Sequence, residues 1–291
     1  MSRKCRLPGR NLCAPNGKIA ALFVDIDGTV SKCEPYFRDA KRRFGFYMQR
    51  CGFNRTRAMK LMADLELEHI HKHGFERDAL AIAMTKAYRQ LCREKGVRAN
   101  KNDVGICWDI GRSPFFREPE LFPNAAAVLN RAHHNFYLVA VSIGNREAQK
   151  YKIRMAGLDA IFDHIIITQQ DNKSELVAGA IEDLKIDPRY SAFIGNSVRS
   201  DGQCLKNTNF IHMPLEGWTF DHAELPQGTG FEYFNVNDWR EAEEKGISRL
   251  LLRRQVAMES ETGSGCDQPT VDNPRPAAAS ANRKPRRRSR G

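Results

Sequence analysis

The sequence contains no apolar run near the roughly 18 residues needed to cross a bilayer. Its longest early run, Ile19 to Val24, stops at Asp25. That run is too short for the core of a secretory signal and no small-residue cleavage site follows it, so no leader is expected. None of the eight cysteines forms a C-x-x-C pair, and no Cys/His spacing matches a zinc site. Scattered thiols without a secretory signal predict reduced cysteines in a cytoplasmic protein and argue against a secreted disulfide scaffold. There is no internal repeat. Residues 1–19 hold no acidic group, against five basic ones.

What is present is enough for a sizeable core. The chain has 291 residues, 41% of them hydrophobic, with 16 Phe. At about 150 residues per domain, that length predicts two domains or one large one. The net charge of +11 is uneven. Residues 31–118 carry 19 basic and 11 acidic groups, and residues 262–291 carry seven basic and two acidic. The last stretch is rich in Gly, Pro, Ala and Ser, lacks a periodic apolar pattern and ends in an Arg-rich run from Arg283 to Arg290. Such a segment cannot offset the entropy of ordering itself and is expected to be disordered. Its arginines could meet nucleic-acid phosphates, but no nucleic-acid-binding module accompanies them. A solvated tail is the preferred reading.

Periodicity divides the remainder. Ile19–Val24 reads as a buried strand. From about Ser31 to Glu118 the period becomes helical, as in Leu80, Ala83, Met84, Ala87, Tyr88, Leu91 and Cys92. Strand-like runs then alternate with helical ones. Phe136–Ile143, the Ile165–Ile167 run, Ser191–Ile194 and Phe210–Met213 are expected strands. Arg146–Met155 and Ser174–Leu184 are expected helices. Alternating β and α segments predict an α/β fold with a parallel sheet and helices on both faces. Ligands in such sheets bind beyond the carboxyl ends of the strands. That rule selects Asp25 and Asp27, Ser142, and the Gly195-Asn196 pair.

Asp25 and Asp27 are alternate residues, which share a face in extended chain. Paired carboxylates either bind a hard cation or divide the roles of nucleophile and acid/base. A calcium loop of the EF-hand type is excluded, because Gly28 falls at the fourth loop position and Tyr36 at the twelfth. Ser142 ends a core strand and offers a hydroxyl. Lys173 begins a helical run and offers a cation. Asn196 and Asp201 follow a later strand.

The order Asp25-Ile26-Asp27-Gly28-Thr29, Ser142, Lys173 and Gly195-Asn196-Ser197-Val198-Arg199-Ser200-Asp201 resembles the haloacid dehalogenase superfamily, in its phosphatase branch. The likeness covers roughly residues 19–226. It implies a Rossmann-like core over residues 19–30 and 119–255 and an inserted α-helical cap of the C1 type over 31–118. A basic extension over 1–18 and a disordered basic tail over 256–291 lie outside these. The resemblance further implies that Asp25 attacks phosphorus to form an aspartyl-phosphate. Asp27 protonates the leaving alcohol and then activates water. Ser142 and Lys173 bind the phosphoryl oxygens. Magnesium is held by Asp25, the Asp27 backbone carbonyl, Asn196 and Asp201. Asn196 departs from the family's usual Asp and brings no charge to the metal. Asp27 separates the chain from true dehalogenases, which lack an acid/base at that position.

The expected activity is therefore magnesium-dependent hydrolysis of a small soluble phosphate ester. A phosphomutase of the same family, and a weakly active nucleic-acid-associated protein using its basic tails, are the alternatives. Arg38, Lys41, Arg42, Arg43, Arg55, Arg57 and Lys60 are candidates to face the cleft and select a second anionic group. His69 and His73 would share a helix face, a weak metal-site signal, and are read as surface or cap-packing residues; Trp218 is read as a packing residue.

Overall fold

A computed structural model describes residues 19–74, 76–215 and 223–263, with side chains to residue 259. Trp218, the extension 1–18 and the Arg-rich run lie outside the described residues. The chain divides into a large unit, Met1–Arg254, and a second, Gln255–Gly291.

The first strand, β1 (Ala21–Val24), is fully buried. It is followed by β2 (Ser31–Lys32), then by α1 (Glu34–Arg50), α2 (Arg55–His73), α3 (Ala79–Glu94) and α4 (Lys101–Arg112), then by β3 (Glu120–Leu121). Next come α5 (Ala125–Ala132), β4 (Tyr137–Ile143), α6 (Arg146–Met155), β5 (His164–Thr168) and α7 (Lys173–Leu184). The described residues close with β6 (Ala192–Gly195), β7 (Asn209–His212), β8 (Tyr233–Asn235), the short α8 (Trp239–Glu241) and α9 (Ser248–Gly263). Six strands form one sheet in the order β5-β4-β1-β6-β7-β8. Every pairing in it is parallel. The expected α/β sheet is present.

The alternation of β1 and β4 explains the layers. Leu22, Val24, Leu138 and Ala140 point to one face, where Val128, Leu129, Ile153 and Trp239 cover them. Ala21, Phe23, Tyr137, Val139 and Val141 point to the other, under Val177, Ala180 and Leu184 of α7. Both faces are apolar because helices cover both, so the strands read as continuous hydrophobic runs rather than alternating ones. Phe23, Phe193 and Phe210 are fully buried in the second layer, and each contributes about 1.5–3 kcal/mol.

Between β2 and β3 the chain builds a separate helical layer. Ala40, Phe44, Met48, Met62, Leu80, Met84, Leu91 and Ile110 form an apolar cluster of their own. The antiparallel pair β2–β3 joins this insert to the sheet domain, with Ser31 opposite Leu121. Arg38 pairs with Glu34, Lys41 with Glu66, Arg42 with Asp39 and Arg57 with Glu94. Arg43 reaches Ser113, and Arg55 lies over the Phe46 ring. These contacts of the six residues are all made within the insert. Exposed pairs of this kind contribute about 0–1 kcal/mol each.

Two expectations change. The segment 160–168, which holds the Ile165–Ile167 run, becomes strand only at His164, because Leu158–Ala160 forms a tight helical turn after Gly157 (φ 65°). The helix α9 runs to Gly263, so residues 256–263, assigned to the disordered tail, are helical. Gln255 to Thr262 contains no Gly or Pro, so nothing in it breaks the helix before Gly263.

Helices α3 and α4 meet at Gly111, where a Cβ would stand 2.4 Å from the Ala81 Cα. Backbone cannot yield as a flexible side chain does. Gly111→Val should lower the stability of the folded chain by about 1–3 kcal/mol through overpacking, read as a lower urea midpoint with an unchanged m-value.

Candidate active site

The β1 ladder carries one residue past the strand. The Asp25 N–H donates to the Ile194 carbonyl at 2.9 Å. Asp25 continues the parity of Ala21 and Phe23, so it emerges on the face covered by α7. Lys173, the first residue of α7, stands there. Its Nζ donates to Asp25 Oδ1 and to Asp201 Oδ1, each at 2.6 Å. All three residues are buried. Burial pushes the Asp25 carboxyl up to about 7, with the Lys173 charge pulling against it. Burial also works against the Lys173 charge, but Asp201 and Asp25 outweigh it and hold the ammonium's pKa above its ordinary value.

The loop after β6 is organised by Asp201. Its Oδ2 accepts from the backbone N–H groups of Asn196 and Ser197, both at 3.0 Å. Ser200 Oγ donates to its other oxygen at 3.3 Å. Asp201 is therefore fully engaged by protein donors. Thr29 Oγ1 lies 3.1 Å from Asp25 Oδ2 and 3.2 Å from Asn196 Oδ1, so those two oxygens converge on the same space. Ser142 stands two residues past the pairing of Ala140 with Val24. Its Oγ is buried with no hydrogen-bond partner. An unsatisfied buried hydroxyl costs about 1–3 kcal/mol, a cost that a bound oxygen would remove.

Asp27 behaves differently. As alternate residues, Asp25 and Asp27 were expected to share a face and stand together. The chain leaves the ladder instead, turning through hydrogen bonds from Val30 and Ser31 back to the Ile26 carbonyl. Asp27 turns to α6: Gln149 Nε2 donates to Oδ2 at 2.6 Å and Lys152 Nζ to Oδ1 at 2.5 Å. Burial opposes the Lys152 charge, and Asp27 foremost raises its pKa against that. Helix α6 packs through Ile153 on the Leu22 face, and α7 through Val177 on the Phe23 face. The two carboxylates are thus served by helices from opposite sides of the sheet.

Several site residues had no sequence signal. Gln149 and Lys152 lie seven and ten residues beyond Ser142, where the helical period was legible but its target was not. His212 Nε2 lies 3.1 Å from the Asn196 carbonyl, and its ring stacks on Phe210. Trp239 Nε1 donates to the Thr29 carbonyl at 3.0 Å across 210 residues of chain. Cys33 neighbours Asp27, and burial raises its thiol pKa, with Asp27 adding to the rise. His69 contacts Glu76 at 3.0 Å and lies against His73.

The side-chain oxygens of Asp25 and Asn196, both beside Thr29 Oγ1, are donors of the kind a hard cation takes. Among the described residues no group of three or more His, Cys, Asp or Glu could hold a metal.

Fold and site define an α/β enzyme with a buried carboxylate at the end of its first strand and a helical insert just after it. The profile of the haloacid dehalogenase-like hydrolases matches residues 19–208, more than half of the chain. The chain belongs to that family. A haloacid dehalogenase-like hydrolase from Xanthomonas campestris superposes with a TM-score of 0.65 at 19% identity, covering 82% of this chain and 96% of that one. The putative HAD-hydrolase YfnB from Bacillus subtilis, bound to magnesium, gives 0.52 at 16%, covering 78% and 98%. The L-2-haloacid dehalogenase from Xanthobacter autotrophicus with chloropropionic acid covalently bound gives 0.50 at 12%, covering 79% and 99%. No curated protein matched the sequence. No helix among the described residues is long and apolar enough to cross a membrane.

Without metal, the Asp25–Lys173–Asp201 group holds two carboxylates against one ammonium. Between about pH 4 and pH 7 the folded chain retains a proton on Asp25 that the unfolded chain releases. Stability contributed by that group therefore falls as pH rises through this window. Asp25→Asn leaves Lys173 and Asp201 as a neutral pair. Metal-free Asp25→Asn should melt a few degrees above the wild type at pH 8, on the scale of about 2–4 °C per kcal/mol. At pH 4 the difference should vanish. Scanning calorimetry at both pH values measures it.

Proposed function

We propose that this hydrolase is a magnesium-dependent phosphoric monoester hydrolase acting on a small phosphorylated compound. The observation that carries the reading is the second carboxylate, Asp27, held apart from the buried Asp25 yet two residues from it. A displacement at carbon needs only the nucleophile. Hydrolysis of a phosphate ester also needs a proton for the leaving oxygen, and Asp27 is the group to supply it.

In this reading Asp25 attacks phosphorus, the ester P–O bond breaks, and Asp27 gives its proton to the departing alkoxide. Asp27 then takes a proton from water, whose oxygen attacks the same phosphorus. The bond to Asp25 breaks, phosphate leaves, and both carboxylates return to their starting state. Lys173, already between Asp25 and Asp201, holds the nucleophile and a phosphoryl oxygen. Ser142 Oγ, unpartnered in the protein, donates to another. Asp25, Asn196 and the Asp27 carbonyl would hold magnesium, while Asp201 fixes the loop that carries Asn196. The cation's chemistry is to neutralise charge between a carboxylate nucleophile and an anionic ester. Positioning and charge stabilisation of this kind supply most of the acceleration of phosphoryl transfer.

Purified protein should hydrolyse p-nitrophenyl phosphate with magnesium and lose at least about 1000-fold in kcat on Asp25→Asn, as for removal of a covalent nucleophile. Ser142→Ala should cost about 10- to 1000-fold, by analogy with loss of one donor to a developing anion. Release of chloride from 2-chloropropionate with no phosphatase activity would replace this reading with a dehalogenase.

A further inference from the structure

We propose that Gln149 and Lys152 form a clamp on one face of α6 whose task is to position the Asp27 carboxylate. They are positioning residues for the proton transfer, and the proposal rests on the acid/base role given to Asp27 above. Residues three apart on a helix are neighbours, and both side chains here converge on one carboxylate. Lys152 Nζ takes Oδ1 at 2.5 Å and Gln149 Nε2 takes Oδ2 at 2.6 Å.

The direction of the Gln149 amide is fixed. Its nitrogen faces two acceptors, Asp27 Oδ2 and the Ile143 carbonyl at 3.1 Å, so a flipped amide would set oxygen against oxygen. The helix that presents the pair is anchored at its start, where Asn145 accepts from the Ala148 N–H at 3.1 Å. The backbone before it makes room. Gly144 has φ +149°, and a Cβ there would stand 2.8 Å from Gln149 Nε2. With 5% exposure Gln149 cannot swing into solvent.

A two-donor clamp suits an acid/base group. Asp27 sits on a turn, not in the sheet, and its side chain is 26% exposed. Without the clamp its carboxylate would rotate freely, and proton transfer is steeply sensitive to donor geometry. A carboxylate has about four lone-pair positions, so two bound donors leave capacity on both oxygens for the reacting proton. The clamp also sets Lys152 as a second cation beside a site that otherwise opposes three carboxylates with Lys173 alone.

The wild type, Lys152→Met, Lys152→Arg, Gln149→Leu, Asp27→Asn and Asp27→Asn/Lys152→Met are compared on p-nitrophenyl phosphate and on an alkyl phosphate, glycerol 2-phosphate. Lys152→Met and Gln149→Leu should each lower kcat by about 10- to 100-fold, the low end of what a positioned acid/base provides. KM should stay within about twofold, since ground-state binding is untouched. The loss should be greater on the alkyl ester, whose leaving oxygen needs the proton more. Lys152→Arg should restore part of it, and in the Asp27→Asn background Lys152→Met should cost nothing more.

The same cycle is read by thermal unfolding without substrate, where the Lys152 and Asp27 shifts should be non-additive by about 2 °C or more. A KM rise at constant kcat would make Lys152 a substrate-binding residue and overturn the clamp. Equal kcat losses in both backgrounds, or additive unfolding shifts, would also overturn it. If the wild type turns over no phosphate ester, the phosphatase reading fails, and the unfolding cycle still decides the clamp.

Discussion

One buried ammonium organises the catalytic end of the sheet. Lys173 is the only described cation that touches both Asp25 and Asp201. Without it two carboxylates would be buried on the same face with nothing to offset them, a cost of several kcal/mol per ion. Its position follows from the topology: α7 crosses from β5 and opens over the strand that ends in Asp25. Everything downstream depends on that bridge. Asp201, tethered by Lys173, accepts from the N–H groups of Asn196 and Ser197 and so sets the loop whose amide oxygen faces Asp25. The arrangement trades stability for readiness, since burial that lifts the Asp25 carboxyl also removes the water that would solvate it.

The sequence made the sheet legible because covered strands are short and uniformly apolar, and the runs ending at Val24, Ile143 and Ile194 are of that kind. Polar residues stand at or just past their carboxyl ends: Asp25 directly after Val24, Ser142 one residue before Ile143, and Asn196 two after Ile194. Helix α6 has the expected bounds, Arg146–Met155. The edge strand β8 was not readable: three residues with exposed ends leave no period to detect. The same shortness hid β2 and β3, which exist only because the insert must leave and rejoin the sheet.

The site was legible where it lies in strand-end motifs and illegible where it is made by contact. Nothing local marks Gln149 or Lys152 as partners of Asp27, because their meaning comes from where α6 lands. His212 and Trp239 act through a backbone carbonyl, which any residue possesses. The basic insert is legible only as charge. Charge density is visible in a sequence, but pairing with Glu34, Glu66 and Glu94 is decided by helix packing. The shared face expected for Asp25 and Asp27 required the strand to continue, and it ends between them.

The indole of Trp239 braces a carbonyl in the first loop of the sheet. During synthesis the strand that ends in Asp25 emerges early, but this strut leaves the ribosome 210 residues after Thr29. Until then the Thr29 carbonyl lacks this partner, and the loop bearing Asp27 lacks its back wall. Folding thus keeps a reactive pocket unfinished until nearly the whole domain is available to close it.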